Sequence, residues 1–104
     1  MFPLNIVYAT MEGDIGYHMT GLFPKRKYGV PHGVYPKKGW LKANQWEGFV
    51  PGNELPYVIN PKEGFIVSSN NFVTSPNFKH GFTQAFGFTH RVLRIKEILN
   101  EKIQ

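Results

Sequence analysis

The residues best suited to chemistry lie in segment 60–71, which ends in two adjacent carboxamides, Asn70 and Asn71. A proline and glycine turn signal at residues 60–64 precedes apolar residues 65–67, which we predict to be a short strand. A strand end is rigid, so a carboxamide placed there holds its N–H donor in a fixed direction. Such a donor stabilises the negative charge that develops on a carbonyl oxygen during acyl transfer. From these residues alone, a turn cap is the simpler interpretation of the asparagine pair, and an oxyanion-binding group is the alternative.

Two short segments near the amino end predict a β-hairpin. Residues 5–10 and 15–20 are rich in β-branched and aromatic residues, and an acidic, glycine-containing turn separates them. Alternation along the second strand places Tyr17 and Met19 on one face and the residues between them on the other. A further apolar segment at 54–60 is interrupted by proline and can only be an edge strand.

Two long connections separate these elements. The first is a surface excursion over residues 21–46, dominated by Pro, Gly and Lys, which we expect to return near Trp40. Residues 46–51 then predict a short strand or turn. The second connection, residues 73–88, is rich in phenylalanine and has no clear period.

The final segment predicts an amphipathic helix from Thr89 or His90 to about Lys102, with Thr89 as a plausible N-cap. One face carries an apolar stripe, and the opposite face carries charged residues. The stripe consists of Val92, Ile95, Ile98, Leu99 and Ile103. Since an isolated helix of this length is marginal in water, the stripe must pack against the strands or against a partner.

Composition limits the class of protein. The chain has 104 residues, of which 41% are hydrophobic and 15% aromatic, which predicts one folded domain over residues 1–104 rather than a disordered tail. No apolar run approaches the roughly 20 residues that cross a bilayer, and no signal peptide is visible, so we expect no membrane partner. Cysteine is absent and the four histidines lack ligand spacing, so we expect no metal and no cofactor.

The net charge of +5 raises the question of nucleic acid. Basic residues cluster at 25–27 and 37–42, interleaved with Tyr28, Tyr35 and Trp40. Such a patch could contact phosphates and stack on bases, which makes a small basic binding module the alternative function. The patch is more simply a solvated loop, and without a recognisable binding motif nucleic acid is an unlikely partner.

Four stretches in order carry a resemblance to a known family: residues 5–17, residues 20–27 followed by 46–51, residues 57–71, and residues 90–99. Together they resemble the C-terminal part of the β-chain in the penicillin acylase (penicillin amidase) family of N-terminal-nucleophile hydrolases. No single motif is decisive. Their order and spacing agree over nearly the whole chain.

The resemblance implies a fold and an activity. The family fold is a four-layer αββα sandwich, of which this α+β chain would supply a hairpin, further short antiparallel strands and one helix. The family hydrolyses linear amides of small molecules with an N-terminal Ser, Thr or Cys, whose own α-amino group is the general base. By resemblance, Asn70 matches the oxyanion Asn, and Arg91 matches an Arg at the following helix start that supports the active site.

Departures from the family pattern qualify these expectations. The chain begins with Met1, and Thr10, Ser68 and Ser69 are internal, so none has a free α-amino group. The carboxylate of the family's calcium site has no counterpart in residues 77–80, so a calcium site does not carry over. We therefore expect a fragment without turnover of its own, which associates with the missing remainder of an acylase or with itself as a homo-oligomer.

Overall fold

The computed structural model describes residues 3–27, 35–71, 78–80 and 89–103. Within them the chain forms three strands, β1 (Leu4–Ala9), β2 (Ile15–Thr20) and β3 (Tyr57–Ile59), and one α-helix, α1 (His90–Ile103). The strands form an antiparallel sheet in the order β1-β2-β3, and two 3-10 turns span Lys42–Asn44 and Gly52–Glu54. These elements confirm the predicted α+β class. None of the helices in the described part of the chain is long and apolar enough to cross a membrane.

The predicted hairpin is confirmed, with β1 beginning and ending one residue earlier than expected. Thr10 leaves the strand because its polar groups close the turn. Its N–H donates to the Asp14 carbonyl at 2.8 Å, and its Oγ1 accepts the Asp14 N–H at 3.2 Å. Gly13 adopts a φ of 96° in this turn, a conformation that side chains disfavour.

The predicted edge strand is confirmed as β3, and Asn60 fixes where the chain leaves it. Asn60 lies in the left-handed region with a φ of 47°. Its Oδ1 accepts the Ile15 N–H at 2.9 Å, and its Nδ2 donates to Asp14 Oδ1 at 2.7 Å. Its backbone N–H also donates to the Ile15 carbonyl at 2.9 Å. One residue therefore ties the end of β3 to the hairpin turn and to the start of β2.

The predicted alternation of faces along β2 is also confirmed. Tyr17 and Met19 are buried, at 5% and 8% exposure. The Tyr17 hydroxyl donates to Asn5 Oδ1 at 2.6 Å, and burial raises the pKa of Tyr17 above its usual value of 10.0. The remaining buried apolar side chains in the described residues are Val50, Leu55 and Val92. The buried apolar core of the described residues therefore consists of these five side chains.

The long excursion after β2 closes on itself later than predicted. Pro24 and Phe49 form an isolated antiparallel bridge, and the Lys25 N–H donates to the Gly48 carbonyl at 2.8 Å. The chain thus returns at residues 47–50 and not near Trp40, because backbone pairing with residues 23–25 requires an extended segment. Residues 28–34 of the excursion, and the predicted loop 73–88 apart from 78–80, lie outside the described residues.

The strand predicted at residues 65–67 is wrong in this structure. No described backbone pairs with these residues. They are half-buried and line a cavity together with Tyr17 and Val58. Apolar content favours a strand, but a strand forms only where a neighbouring backbone completes the ladder.

The predicted helix is confirmed as α1, and its apolar stripe is covered only in part. Val92 is buried at 7% exposure and Leu99 is half-buried, whereas Ile95 and Ile98 are 39% and 36% exposed. Among the described stripe residues, Val92 is therefore the most deeply packed.

An ion cluster links residues 78–80 to the second 3-10 turn. Lys79 Nζ lies 2.9 Å from Glu54 Oε1, and His80 Nε2 lies 2.5 Å from Glu54 Oε2. Hydrogen bonds from Lys79 and then from His80 lower the pKa of Glu54 below its usual value of 4.5. The cluster therefore favours the ionised carboxylate.

The Asn60 contacts predict a measurable loss of stability on substitution. Asn60→Gly removes two side-chain hydrogen bonds while keeping a residue suited to the positive φ, and we expect a loss of about 1–2 kcal/mol in the free energy of unfolding. Asn60→Ala adds backbone strain and should cost about 1 kcal/mol more. Urea denaturation measures both, with the exposed Asn53→Ala as the matched control. Equal stability of the Asn60→Gly variant and the unsubstituted chain would contradict the role of Asn60.

The Glu54 cluster predicts a defined dependence of stability on acid. A carboxylate whose pKa is lower in the folded than in the unfolded state stabilises the fold above the unfolded value, and the contribution is lost as the pH falls through the folded value. We expect Glu54→Gln to lower stability at neutral pH, and the difference from the unsubstituted chain to vanish below its lowered pKa. Thermal unfolding from pH 7 to pH 3 measures the difference in stability between the Glu54→Gln variant and the unsubstituted chain. A difference that does not change with pH would argue against the role of the cluster.

Candidate active site

A tight turn after β3 directs the chain across the sheet toward the paired carboxamides. The Gly64 N–H donates to the Pro61 carbonyl at 2.9 Å, and Gly64 has a φ of 74°, which glycine adopts without steric cost. Residues 65–69 then run half-buried along the molecule. This path brings Asn70 to the start of α1.

Asn70 and Arg91, the two residues predicted to be catalytic, are in direct contact. Arg91 Nη2 donates to Asn70 Oδ1 at 2.7 Å and to the Ser69 carbonyl at 3.3 Å. A guanidinium has no acceptor, so the carboxamide must present its oxygen to Arg91. The Nδ2 group of Asn70 is therefore turned away from Arg91. Because Asn70 is exposed and has a φ of 56°, that donor lies at the surface on a sharply turned backbone.

Asn71 takes the role that the simpler interpretation gave to the pair. Its Oδ1 accepts the Ser69 N–H at 2.8 Å, a local bond that holds the loop. The two neighbouring asparagines therefore differ in their hydrogen-bond partners. Asn71 shapes the turn, whereas the amide of Asn70 is oriented by a residue 21 positions away.

The start of α1 positions Arg91. The Leu93 N–H donates to the Thr89 carbonyl at 3.0 Å, and the buried Val92 anchors this turn to the rest of the molecule. A cation at a helix amino terminus is mildly unfavourable against the helix dipole. The bonds to Asn70 and Ser69 give that cation a specific partner, which offsets the cost.

Asn71, the neighbour of Asn70, and Lys96 of α1 both line an open cavity of about 380 Å³. Its lining is apolar on the side of the sheet and of residues 65–67, while Glu63, Asn71 and Lys96 supply polar groups. Asn70 does not line it. The sequence did not single out this cavity, because its walls come from segments that only the fold brings together. The one sequence signal for a wall of this cavity was the alternation along β2, which placed Tyr17 on the same face as Met19.

Other candidate groups do not assemble into a site. Among residues 3–27, 35–71, 78–80 and 89–103, no three metal-ligating side chains come together. In the basic region, the Arg26 guanidinium lies 5.9 Å from the centre of the Trp46 ring, while Tyr35 and Trp40 are 73% and 77% exposed. The alternative of a basic binding module, with nucleic acid as an unlikely partner, stays a prediction that these contacts do not test.

Comparison with known proteins matches the chain to the penicillin amidase family and to two kinds of acylase. The penicillin amidase family profile matches residues 1–104. The chain is 31% identical over 97 residues to an acyl-homoserine lactone acylase of Pseudomonas syringae pv. tomato, covering 93% of this chain and 11% of that protein. It is 34% identical over 105 residues to penicillin G acylase of Escherichia coli, covering 95% of this chain and 12% of that protein.

The chain thus spans about a tenth of the length of the relatives it matches. The family profile nevertheless covers every residue, including the loop that carries Asn70 and the helix that carries Arg91. The four stretches from which the resemblance was drawn all lie within these matches. On this basis the chain belongs to the penicillin amidase family.

Proposed function

We propose that this chain supplies the oxyanion-binding Asn70 and its positioning residue Arg91 to an active site that hydrolyses linear amides. The nucleophile of that site is an N-terminal residue outside residues 1–104. The observation that carries the proposal is the 2.7 Å bond from Arg91 Nη2 to Asn70 Oδ1, which turns the amide donors of Asn70 outward. Family membership supports the same assignment.

The chemistry follows from charge development. The nucleophile's oxygen or sulfur attacks the amide carbonyl carbon, its proton passes to the α-amino group, and the carbonyl electrons move onto oxygen. The Nδ2–H of Asn70 donates to that oxyanion, after which the tetrahedral intermediate expels the amine, which takes up the proton. Water then cleaves the acyl-enzyme. Because Arg91 bonds the amide oxygen, it polarises the Asn70 amide and strengthens its N–H donors.

The substrate class follows from the relatives. Two of them are named for acyl-homoserine lactones and for penicillin G, compounds that share an amide between an acyl group and a small amine. We infer that a small-molecule amide of this class is the substrate of the complete site. In that assembly the three strands and α1 form part of the four-layer αββα sandwich.

Residues 1–104 on their own should not hydrolyse an amide substrate. We expect the purified residues 1–104 to release no product from a chromogenic phenylacetyl amide, because the nucleophile proposed for this site lies outside them. Release measured against a buffer blank tests this. Turnover that Asn70→Ala abolishes would refute the proposed division of the site.

The role of Asn70 is tested in a chimera in which residues 1–104 replace the matching segment of Escherichia coli penicillin G acylase. Asn70→Asp keeps an acceptor for Arg91 but removes the N–H donors, so we expect kcat to fall about 10²–10³-fold with a smaller change in KM. Asn100→Ala, on the same helix as Arg91, is the control. If the Asn70→Asp chimera retained full kcat, the oxyanion role would be wrong.

The role of Arg91 is tested in the same chimera by a double-mutant cycle. If Arg91 acts through Asn70, Arg91→Met should lower kcat in the Asn70 background and have little further effect in the Asn70→Ala background. Additive losses in kcat would show that Arg91 acts independently of Asn70. Circular dichroism confirms that each variant keeps its helix and sheet.

A further inference from the structure

The net charge of the chain is concentrated in one segment. Residues 21–51 hold six of the twelve Lys and Arg residues and one of the seven Asp and Glu residues, so they account for the whole net charge of +5. The remaining residues are formally neutral as a group. Both tryptophans, Trp40 and Trp46, lie in the same segment. The proposed amide hydrolysis uses none of these side chains.

Part of this segment, residues 37–45, folds as a small lobe held by its own hydrogen bonds, and we call it the basic lobe. The Asn44 N–H donates to the Leu41 carbonyl at 2.9 Å, and Asn44 Nδ2 donates to the Lys38 carbonyl at 3.0 Å. Within the described part of the chain, all hydrogen bonds of residues 37–45 join these residues to one another. The lobe therefore keeps its shape without hydrogen bonds to the sheet or to α1.

The basic lobe exposes apolar and cationic side chains next to each other. Trp40 and Leu41 are 77% and 46% exposed, and they lie between Lys38 and Lys42, which are also exposed. A Cβ at Gly39 would meet no atom within 4 Å, so no described residue stands against the lobe at this point. Exposed aromatic and aliphatic side chains flanked by lysines are typical of segments that bind the surface of an anionic membrane.

We propose that the basic lobe binds the surface of an anionic lipid bilayer, with Trp40 and Leu41 inserted at the level of the headgroups. Tryptophan favours that depth because its ring is apolar while its N–H reaches water or a headgroup. Each neighbouring lysine adds attraction to the anionic lipids. The expectation of no membrane partner came from the lack of a run long enough to span a bilayer, and binding at the surface needs no such run.

The side chains of this surface favour a lipid over a nucleic acid. A single strand would contact the lysines through its phosphates and stack a base on Trp40. It would leave the aliphatic Leu41 without a partner, whereas a bilayer buries it. Trp46 is a less open stacking platform, because the Arg26 guanidinium already lies 5.9 Å from the centre of its ring.

Co-sedimentation with vesicles tests the charge requirement. Purified residues 1–104 are mixed with vesicles of phosphatidylglycerol and phosphatidylcholine in equal parts, or of phosphatidylcholine alone. We expect binding to the anionic vesicles that weakens as salt is raised, and little binding to the neutral ones. The double variant Lys38→Gln/Lys42→Gln should weaken partitioning more than about tenfold. The control Lys62→Gln/Lys102→Gln removes the same charge elsewhere and should change it by about twofold at most.

A second pair of variants and a fluorescence measurement test insertion. Leu41→Ala should weaken partitioning about fivefold, whereas Leu93→Ala, at an exposed leucine of α1, should leave it unchanged. In Trp46→Phe the sole remaining tryptophan is Trp40, and we expect the anionic vesicles to shift its emission to shorter wavelength. Circular dichroism confirms that each variant keeps its helix and sheet.

The contrary outcomes overturn the proposal. Failure to bind the anionic vesicles does so, as does equal weakening by the two lysine double variants, which would reflect net charge alone. Binding without a shift in Trp40 emission would show adsorption without insertion. If a single-stranded oligonucleotide is bound at the same salt while the vesicles are not, the partner is a nucleic acid. None of these measurements uses an amide substrate, so their failure leaves the proposed function standing.

Discussion

The arrangement of the described elements depends on the carboxamide of Asn60. A turn in the chain usually satisfies its own backbone groups, but here one side chain bonds both the hairpin turn and the first residue of β2. These bonds fix the point at which the chain leaves β3. Residues 65–69 follow along the chain, and Asn70 then contacts Arg91 in the first turn of α1. The site is thus positioned by contacts that lie far from it along the chain.

At the site, the orientation of the Asn70 amide depends on which groups can donate and which can accept a hydrogen bond, and not only on how close the two residues lie. A guanidinium can only donate, so its contact with Asn70 determines which end of the amide faces outward. Both bonds come from Arg91 Nη2, whose two N–H groups lie fixed in the plane of the guanidinium, whereas the ammonium of a lysine rotates freely. Preorganisation of this kind lets a donor meet developing charge without moving.

The elements that the sequence predicted best are those whose signals are local. The hairpin, the edge strand and α1 follow from alternation, a proline interruption and a helical stripe, and their bounds differ from expectation by a few residues at most. Two predictions failed: the strand at residues 65–67 and the return of the long excursion near Trp40. Both depend on which distant segment of backbone pairs with these residues, and local sequence does not specify that segment. The contact between Asn70 and Arg91 came from the family resemblance, since no local rule links residues 21 positions apart. The cavity, the Glu54 cluster and the Asn60 bonds were missed because they join distant segments.

The outer edge of β1 has a consequence for handling the molecule. Among the described strands β1 pairs only with β2, so one side of its backbone has no ladder partner there. Its six residues, Leu-Asn-Ile-Val-Tyr-Ala, contain no charge, proline or glycine that would deter pairing with a foreign strand. Short uncharged segments of this composition stack in register into cross-β fibrils. Prolonged storage of the isolated polypeptide at high concentration therefore favours amyloid-like growth from this strand.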